Sequence, residues 1–250
     1  MIGVDPAPGK GLCIFDPEHL TPEHAPGNRY GADEEYRLVG PKDARTWFES
    51  IIDIPHLLLA WDAPLMVNFA ETLTERPIER YLRRSQSDLG PGTSVMGFGG
   101  CPHWSISQYT LGLPLPVGIT DQRRGLPLIG PDTGHRRGII EVHPAIAIAV
   151  LLGATPVYKR PASRSRCIVD ALKGACIREG LLNKFVWRDL PPKGRAGFHL
   201  DDFLDAQVAG ACGQALASGE SLFLGDSTGY FVVPSTACAV NLQEGFLRKL

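Results

Sequence analysis

Five acidic residues stand where acid is costly. Asp5 closes the apolar run Met1-Ile2-Gly3-Val4-Asp5, and Asp62 closes Leu57-Leu58-Leu59-Ala60-Trp61-Asp62. Glu141 lies inside Gly138-Ile139-Ile140-Glu141-Val142-His143-Pro144. Asp202 and Asp205 are three apart in His199-Leu200-Asp201-Asp202-Phe203-Leu204-Asp205-Ala206, a spacing that puts them on one helix face. A carboxylate in or at the end of a buried strand is expensive unless something positive neutralises it. If the strand ends and the helix converge, a divalent cation is the simplest partner, because Mg²⁺ and similar hard ions take carboxylate oxygens. Two such ions about 3.5–4 Å apart support in-line hydrolysis of a phosphodiester. Asp5, Asp62, Glu141, Asp202 and Asp205 are therefore the candidate catalytic residues. Asp5, Asp62, Asp202 and Asp205 are the candidate ligands of Mg²⁺ or Mn²⁺.

Each acid also has an ordinary reading. Asp5 in Asp5-Pro6 suits a turn, and Asp62 before Ala63-Pro64 suits a helix cap. Glu141 on an alternating strand could face solvent. Asp201, Asp202 and Asp205 lie in the first two turns of their helix, where the macrodipole favours negative charge. His143 and His199 stand next to these acids and are candidates to orient a ligand or a water.

The elements that would hold these residues follow from pattern. Residues 1–5 and 11–15 read as two strands joined by Pro6-Ala7-Pro8-Gly9-Lys10, a connection short enough for an antiparallel hairpin. Residues 16–34 read as loop, 35–39 as a third, edge strand, and 57–61 and 138–142 as further strands. Helices are expected over 41–52, 71–84, 145–152, 165–182 and 200–217, with short strands at 221–224 and 230–233. Residues 85–134 are Gly- and Pro-rich and read as an irregular insertion. Hairpin, third strand and crossovers together imply a mixed sheet with helices on both faces. In such sheets ligands gather at the carboxyl ends of the strands. The segment from Gly3 to Gly11 is one residue too long for a Walker-type loop, and a strand rather than a helix follows it.

The 250 residues suit one large α/β domain, 44% hydrophobic and 21% charged. No stretch approaches the length needed to span a bilayer, and the amino terminus starts on a strand-like run, so a cytoplasmic protein is expected. The six cysteines are scattered without a C-x-x-C pair, which favours small buried hydrophobes over a zinc site. Net charge is −2, unevenly spread: residues 121–195 carry 14 Lys and Arg against 6 Asp and Glu. Lys10 with Arg123, Arg124, Arg136 and Arg137 are candidates to bind phosphates, and nucleic acid is the expected partner. An ordinary solvated surface explains the basic segment equally well.

Taken in order, Ile2-Gly3-Val4-Asp5 to Pro8-Gly9, Trp61-Asp62-Ala63-Pro64-Leu65, Ile140-Glu141-Val142-His143-Pro144, His199 to Ala206, and Gly229-Tyr230-Phe231-Val232-Val233-Pro234 resemble the ribonuclease-H-like superfamily. More closely, they resemble the family catalogued as domain of unknown function 429, described as predicted nucleases. The resemblance implies a five-stranded mixed sheet, its first three strands antiparallel, flanked by helices in a single domain over 1–250 with the insertion at about 85–134. It implies a metal-dependent nuclease. Asp5 matches the first-strand aspartate, Asp62 the acid ending the fourth strand, and Asp202 and Asp205 the acids of the last helix. Glu141 has no simple counterpart in that pattern. Two other functions stay open: nucleotide binding of the actin-like ATPase or kinase type, and a non-catalytic binding protein on the same fold.

Overall fold

A computed structural model describes residues 1–65, 75–97, 101–112, 122–123, 126–133, 137–159 and 161–249. The chain opens with β1 (Ile2–Ala7) and β2 (Gly11–Phe15), then β3 (Asn28–Tyr30) and β4 (Tyr36–Val39). Next come α1 (Ala44–Ile51), β5 (Leu58–Trp61), α2 (Pro77–Arg84), α3 (Gln86–Leu89) and α4 (His103–Leu111). The small pair β6 (Gln122–Arg123) and β7 (Leu126–Pro127) precedes β8 (Gly138–Glu141), α5 (Pro144–Leu152), α6 (Ala162–Glu179) and α7 (Leu200–Ser218). The hairpin β9 (Ser221–Asp226) and β10 (Gly229–Pro234) leads to α8 (Ala237–Leu247).

The protein is α/β. Its main sheet has six strands in the order β3-β4-β2-β1-β5-β8. Pairing is antiparallel from β3 to β1 and parallel from β1 through β5 to β8. The sequence suggested five strands with the third at an edge. Asn28–Tyr30 instead pairs outside β4. Three polar residues between Pro- and Gly-rich turns carry too little apolar pattern to announce such a strand. Two further elements depart from the pattern. Residues 85–134 read as irregular but hold α3, α4 and the pair β6/β7, and the closing α8 went unread.

Alternation along the strands sorts the core into two sides of the sheet. Ile2, Val4, Leu12, Ile14, Leu59, Trp61 and Ile139 pack towards α1 and α4. Cys13, Phe15, Leu58, Ala60 and Ile140 pack towards α5, α6 and α7. A third cluster gathers α2, α8 and the β9/β10 hairpin on Ile146, Ala149 and Val150 of α5.

Helix α7 is buried almost all round, as a central helix must be when it is apolar on every side. It is rich in Ala and Gly, and the reason lies in β1. A Cβ on Gly3 would come within 2.1 Å of the Ala206 carbonyl oxygen and 2.4 Å of the Gly210 nitrogen. Backbone therefore rests on backbone there. Gly3→Ala should cost about 3 kcal/mol, because the clash is with main chain that cannot turn aside. Urea denaturation checks this, and a loss under about 0.5 kcal/mol would show that α7 can shift freely.

Candidate carboxylate site

Val4 is level with Trp61 in the β1/β5 pair, and the Asp62 N–H donates to the Val4 carbonyl at 2.9 Å. Asp5 and Asp62 are thus neighbours at the carboxyl end of β5. Asp5 shares its side of the sheet with Gly3, so it faces α7. On α7, Asp202 lies one turn before Ala206 and Asp205 immediately before it, at the close contact with β1. The fold therefore brings Asp5, Asp62, Asp202 and Asp205 together. Asp5 and Asp205 are each 3% exposed and Asp202 is 9% exposed, so little water is left to screen them.

Two lysines answer part of this charge. Lys10, from the β1/β2 turn, places Nζ 2.8 and 3.2 Å from the Asp202 carboxylate oxygens. Lys159 sits 3.1 Å from Asp205 Oδ2, and the Tyr158 hydroxyl donates to Asp205 Oδ1 at 2.7 Å. Asp202 also accepts the His199 N–H at 2.6 Å, which helps start α7. Asp205 holds the Lys159 ammonium well above its usual range, with Asp62 and Asp5 adding to the effect against desolvation. Burial, then Asp205, keeps the Tyr158 hydroxyl protonated and able to donate.

Asp5 and Asp62 have no hydrogen bond or ion pair to their carboxylates among the described residues. Burial pushes the Asp5 carboxyl well up, and Asp62, Asp205 and Asp202 push it further, while Lys159 opposes them. Asp62 is only half-buried, yet desolvation is still the main cause that raises its carboxyl, with Asp205 and Glu141 adding and Lys159 opposing. Such a pair is proton-hungry, or cation-hungry.

Glu141 is held elsewhere. It is level with Trp61 rather than Asp62, and its carboxylate is taken by a group at the start of α2. There the Arg76 guanidinium grips it two-pronged, at 2.5 and 2.9 Å, and the Leu65 N–H donates to it at 2.7 Å. Arg76 also binds Glu79 at 2.7–2.8 Å, and all three side chains are buried. Burial raises the Glu141 carboxyl and Arg76 lowers it. Burial would lower the Arg76 guanidinium, but Glu141 and Glu79 raise it overall. The two-pronged contact is that of an ion pair, so we take Glu141 as ionised and fixing α2 to the end of β8.

The remaining candidates are scattered. The His143 ring meets Phe231 edge-on at 5.5 Å and, with Asp62 and Lys159, lines a small cavity of about 110 Å³. Burial pushes it down to about 3, so it is neutral. The His199 ring is exposed. Arg137 donates to the carbonyls of Ile52 and Ile54, at the amino end of β5 and away from the acids. The Arg123 backbone lies in β6; Arg124 and Arg136 fall outside the described residues. Lys159, Tyr158 and Arg76 were not singled out in the sequence. Lys159 stood only as one of several basic residues, and nothing periodic marks its loop.

Four carboxylates offer oxygen donors of the kind that hard cations take, and two of them have no direct counter-charge among the described residues. Among the described residues, no three His, Cys, Asp or Glu side chains already stand grouped to hold an ion.

Fold and site together define an α/β protein with an acidic cluster beside the carboxyl end of β5, where it runs parallel to β1. Over residues 124–228 the chain matches the family described as Protein of unknown function (DUF429), the family that its motifs resemble. That stretch includes Glu141, Lys159, Asp202 and Asp205 and excludes Asp5 and Asp62. No curated protein and no solved structure matches. No helix among the described residues is long and apolar enough to cross a membrane.

Two measurements follow. Arg76→Met strands two buried carboxylates and should cost about 3–5 kcal/mol in urea denaturation; a loss below about 1 kcal/mol would mean Glu141 is not ionised. A carboxyl whose folded pKa lies above its unfolded value of about 3.9 favours the fold most below that value, and its contribution is lost as pH rises through the folded pKa. In EDTA, Asp5→Asn should therefore raise stability at pH 7 by about 1 kcal/mol or more and change it little near pH 3. Destabilisation at pH 7 would show that the Asp5 charge is compensated.

Proposed function

We propose that the chain is a metal-dependent phosphodiesterase acting on nucleic acid, on a ribonuclease-H-like sheet. One observation supports this reading: Asp5 and Asp62 are brought together on adjacent parallel strands, facing Asp202 and Asp205, with no direct counter-charge among the described residues. The strand order β4-β2-β1-β5-β8, with β3 added at the edge, is consistent with that fold.

Asp5, Asp62 and one or both α7 acids would hold Mg²⁺ or Mn²⁺, which supplies Lewis-acid activation of water and of a phosphoryl oxygen. Lys10 and Lys159 have a second use. Each is tethered to a carboxylate by one ion pair and can swing to a phosphate oxygen when that carboxylate turns to a cation. Tyr158 fixes Oδ1 of Asp205 and leaves Oδ2 to exchange its partner. Asp5 lies under α7 and Asp62 at the cavity mouth, so the site would be approached from the side of His143 and Lys159.

The same lysines favour a second reading, a binding protein without turnover. They neutralise two of the four acids in place, and a permanently lysine-filled cluster would have no need of an ion.

Mn²⁺ separates the two. At a hundredfold excess over its dissociation constant it should stabilise the protein by about 2.7 kcal/mol, and Asp5→Asn should remove most of that gain. Cleavage of an oligonucleotide should require the ion and disappear in the same variant. Equal stabilisation of both proteins by Mn²⁺, or full cleavage by Asp5→Asn, overturns the proposal.

A further inference from the structure

A second cleft lies apart from the carboxylates. Pro77, Arg80, Tyr81 and Arg84 recur at i, i+3, i+4 and i+7 and share one face of α2. With Phe246 and Lys249 at the end of α8 they line a cleft of about 450 Å³, within the roughly 300–1,000 Å³ of small-molecule sites. It shares no lining residue with the cavity beside Asp62.

Among the described residues, the lining holds three cations and no acid. Arg80 and Arg84 are four apart on the helix, where like charges repel. Glu75 offsets Arg80 at 3.3 Å and Arg83 at 2.9 Å. Arg84 and Lys249 have no acidic partner among the described residues. Lys249 Nζ rests over the Tyr81 ring, 5.1 Å from its centre, and Tyr81 packs on Phe246 at 5.7 Å. Cationic heads around an aromatic floor suit an anion carried on a planar ring. The wall is firm, since Arg76, one residue before α2, is clamped to Glu141 and Glu79.

We propose that this cleft binds a nucleotide, its base taking the place over Tyr81 that Lys249 leaves as its ammonium turns to join Arg84 on the phosphate. The ligand is a free nucleotide or the terminal nucleotide of a strand, and the inference stands whether or not the carboxylate site cleaves.

Calorimetry in EDTA tests it, with inorganic phosphate, a nucleoside monophosphate and a short single-stranded oligonucleotide as probes. The nucleotide should bind about fivefold to a hundredfold more tightly than phosphate, the usual gain from one stacked base. Arg84→Glu with Lys249→Glu should weaken it about tenfold or more, and Asp5→Asn should leave it unchanged. Gly245→Ala adds no charge, but its Cβ would stand 2.4 Å from Tyr81 Oη. It should weaken the nucleotide and spare phosphate. Circular dichroism of each variant confirms the fold. An oligonucleotide that binds more tightly than the mononucleotide identifies a strand end, and equal binding a free nucleotide. The proposal fails if phosphate and nucleotide bind alike, if Gly245→Ala changes neither, or if nothing binds.

Discussion

The contact on which the rest depends is backbone on backbone, where α7 lies against β1. Gly3 removes the one side chain that would hold the helix off, and Gly210 and Gly213 do the same from the helix side against Phe15, Ala60 and Met1. Glycines inside a helix cost stability, about 0.5–1 kcal/mol each relative to Ala. Here they are retained because the approach fixes the height of α7 over the sheet. Asp5 is two residues beyond Gly3, and Asp205 immediately precedes Ala206. The approach that sets the core therefore also sets the distance between two acids, and a looser helix would leave water between them.

That closeness creates a charge problem which the local partners solve unevenly. Lys10 and Lys159 reach the two acids of α7, and the Tyr158 hydroxyl adds a third contact. Asp5 and Asp62, on the sheet, are left to a shared, distant influence of Lys159. A purely structural network would be expected to satisfy its most buried member first, because an unpaired buried charge costs most. Here Asp5 is among the most buried and has no direct partner among the described residues. The imbalance is what separates this cluster from Arg76, Glu141 and Glu79, where the buried charges are hydrogen-bonded to one another.

Much of this was legible in the sequence, and the reasons differ by residue. The runs ending at Asp5 and Asp62 are apolar enough to read as strands, and the Asp202/Asp205 spacing is helical, so the convergence of these four acids followed from topology. The family resemblance agrees with the match over residues 124–228. Arg76 was not legible, because a buried arginine looks like any surface arginine until its partners are known, and those lie 3 and 65 residues away. Lys159 was hidden in a basic segment, of which Arg137 and Arg166 are bound to backbone carbonyls elsewhere. Strand β3 was hidden because edge pairing needs backbone, not pattern.

Glu141 and Asp62 show how little separates a framework acid from a reactive one. They sit at the ends of neighbouring parallel strands, one residue apart in register. That single residue gives Glu141 to Arg76 before α2 and leaves Asp62 to the acids of β1 and α7, although Glu79, the other partner of Arg76, lines the same cavity as Asp62. Type and strand position alone could not distinguish them. Register does, and it follows that an acid at a strand end in this fold is informative only once its register against Gly3 and Asp5 is known.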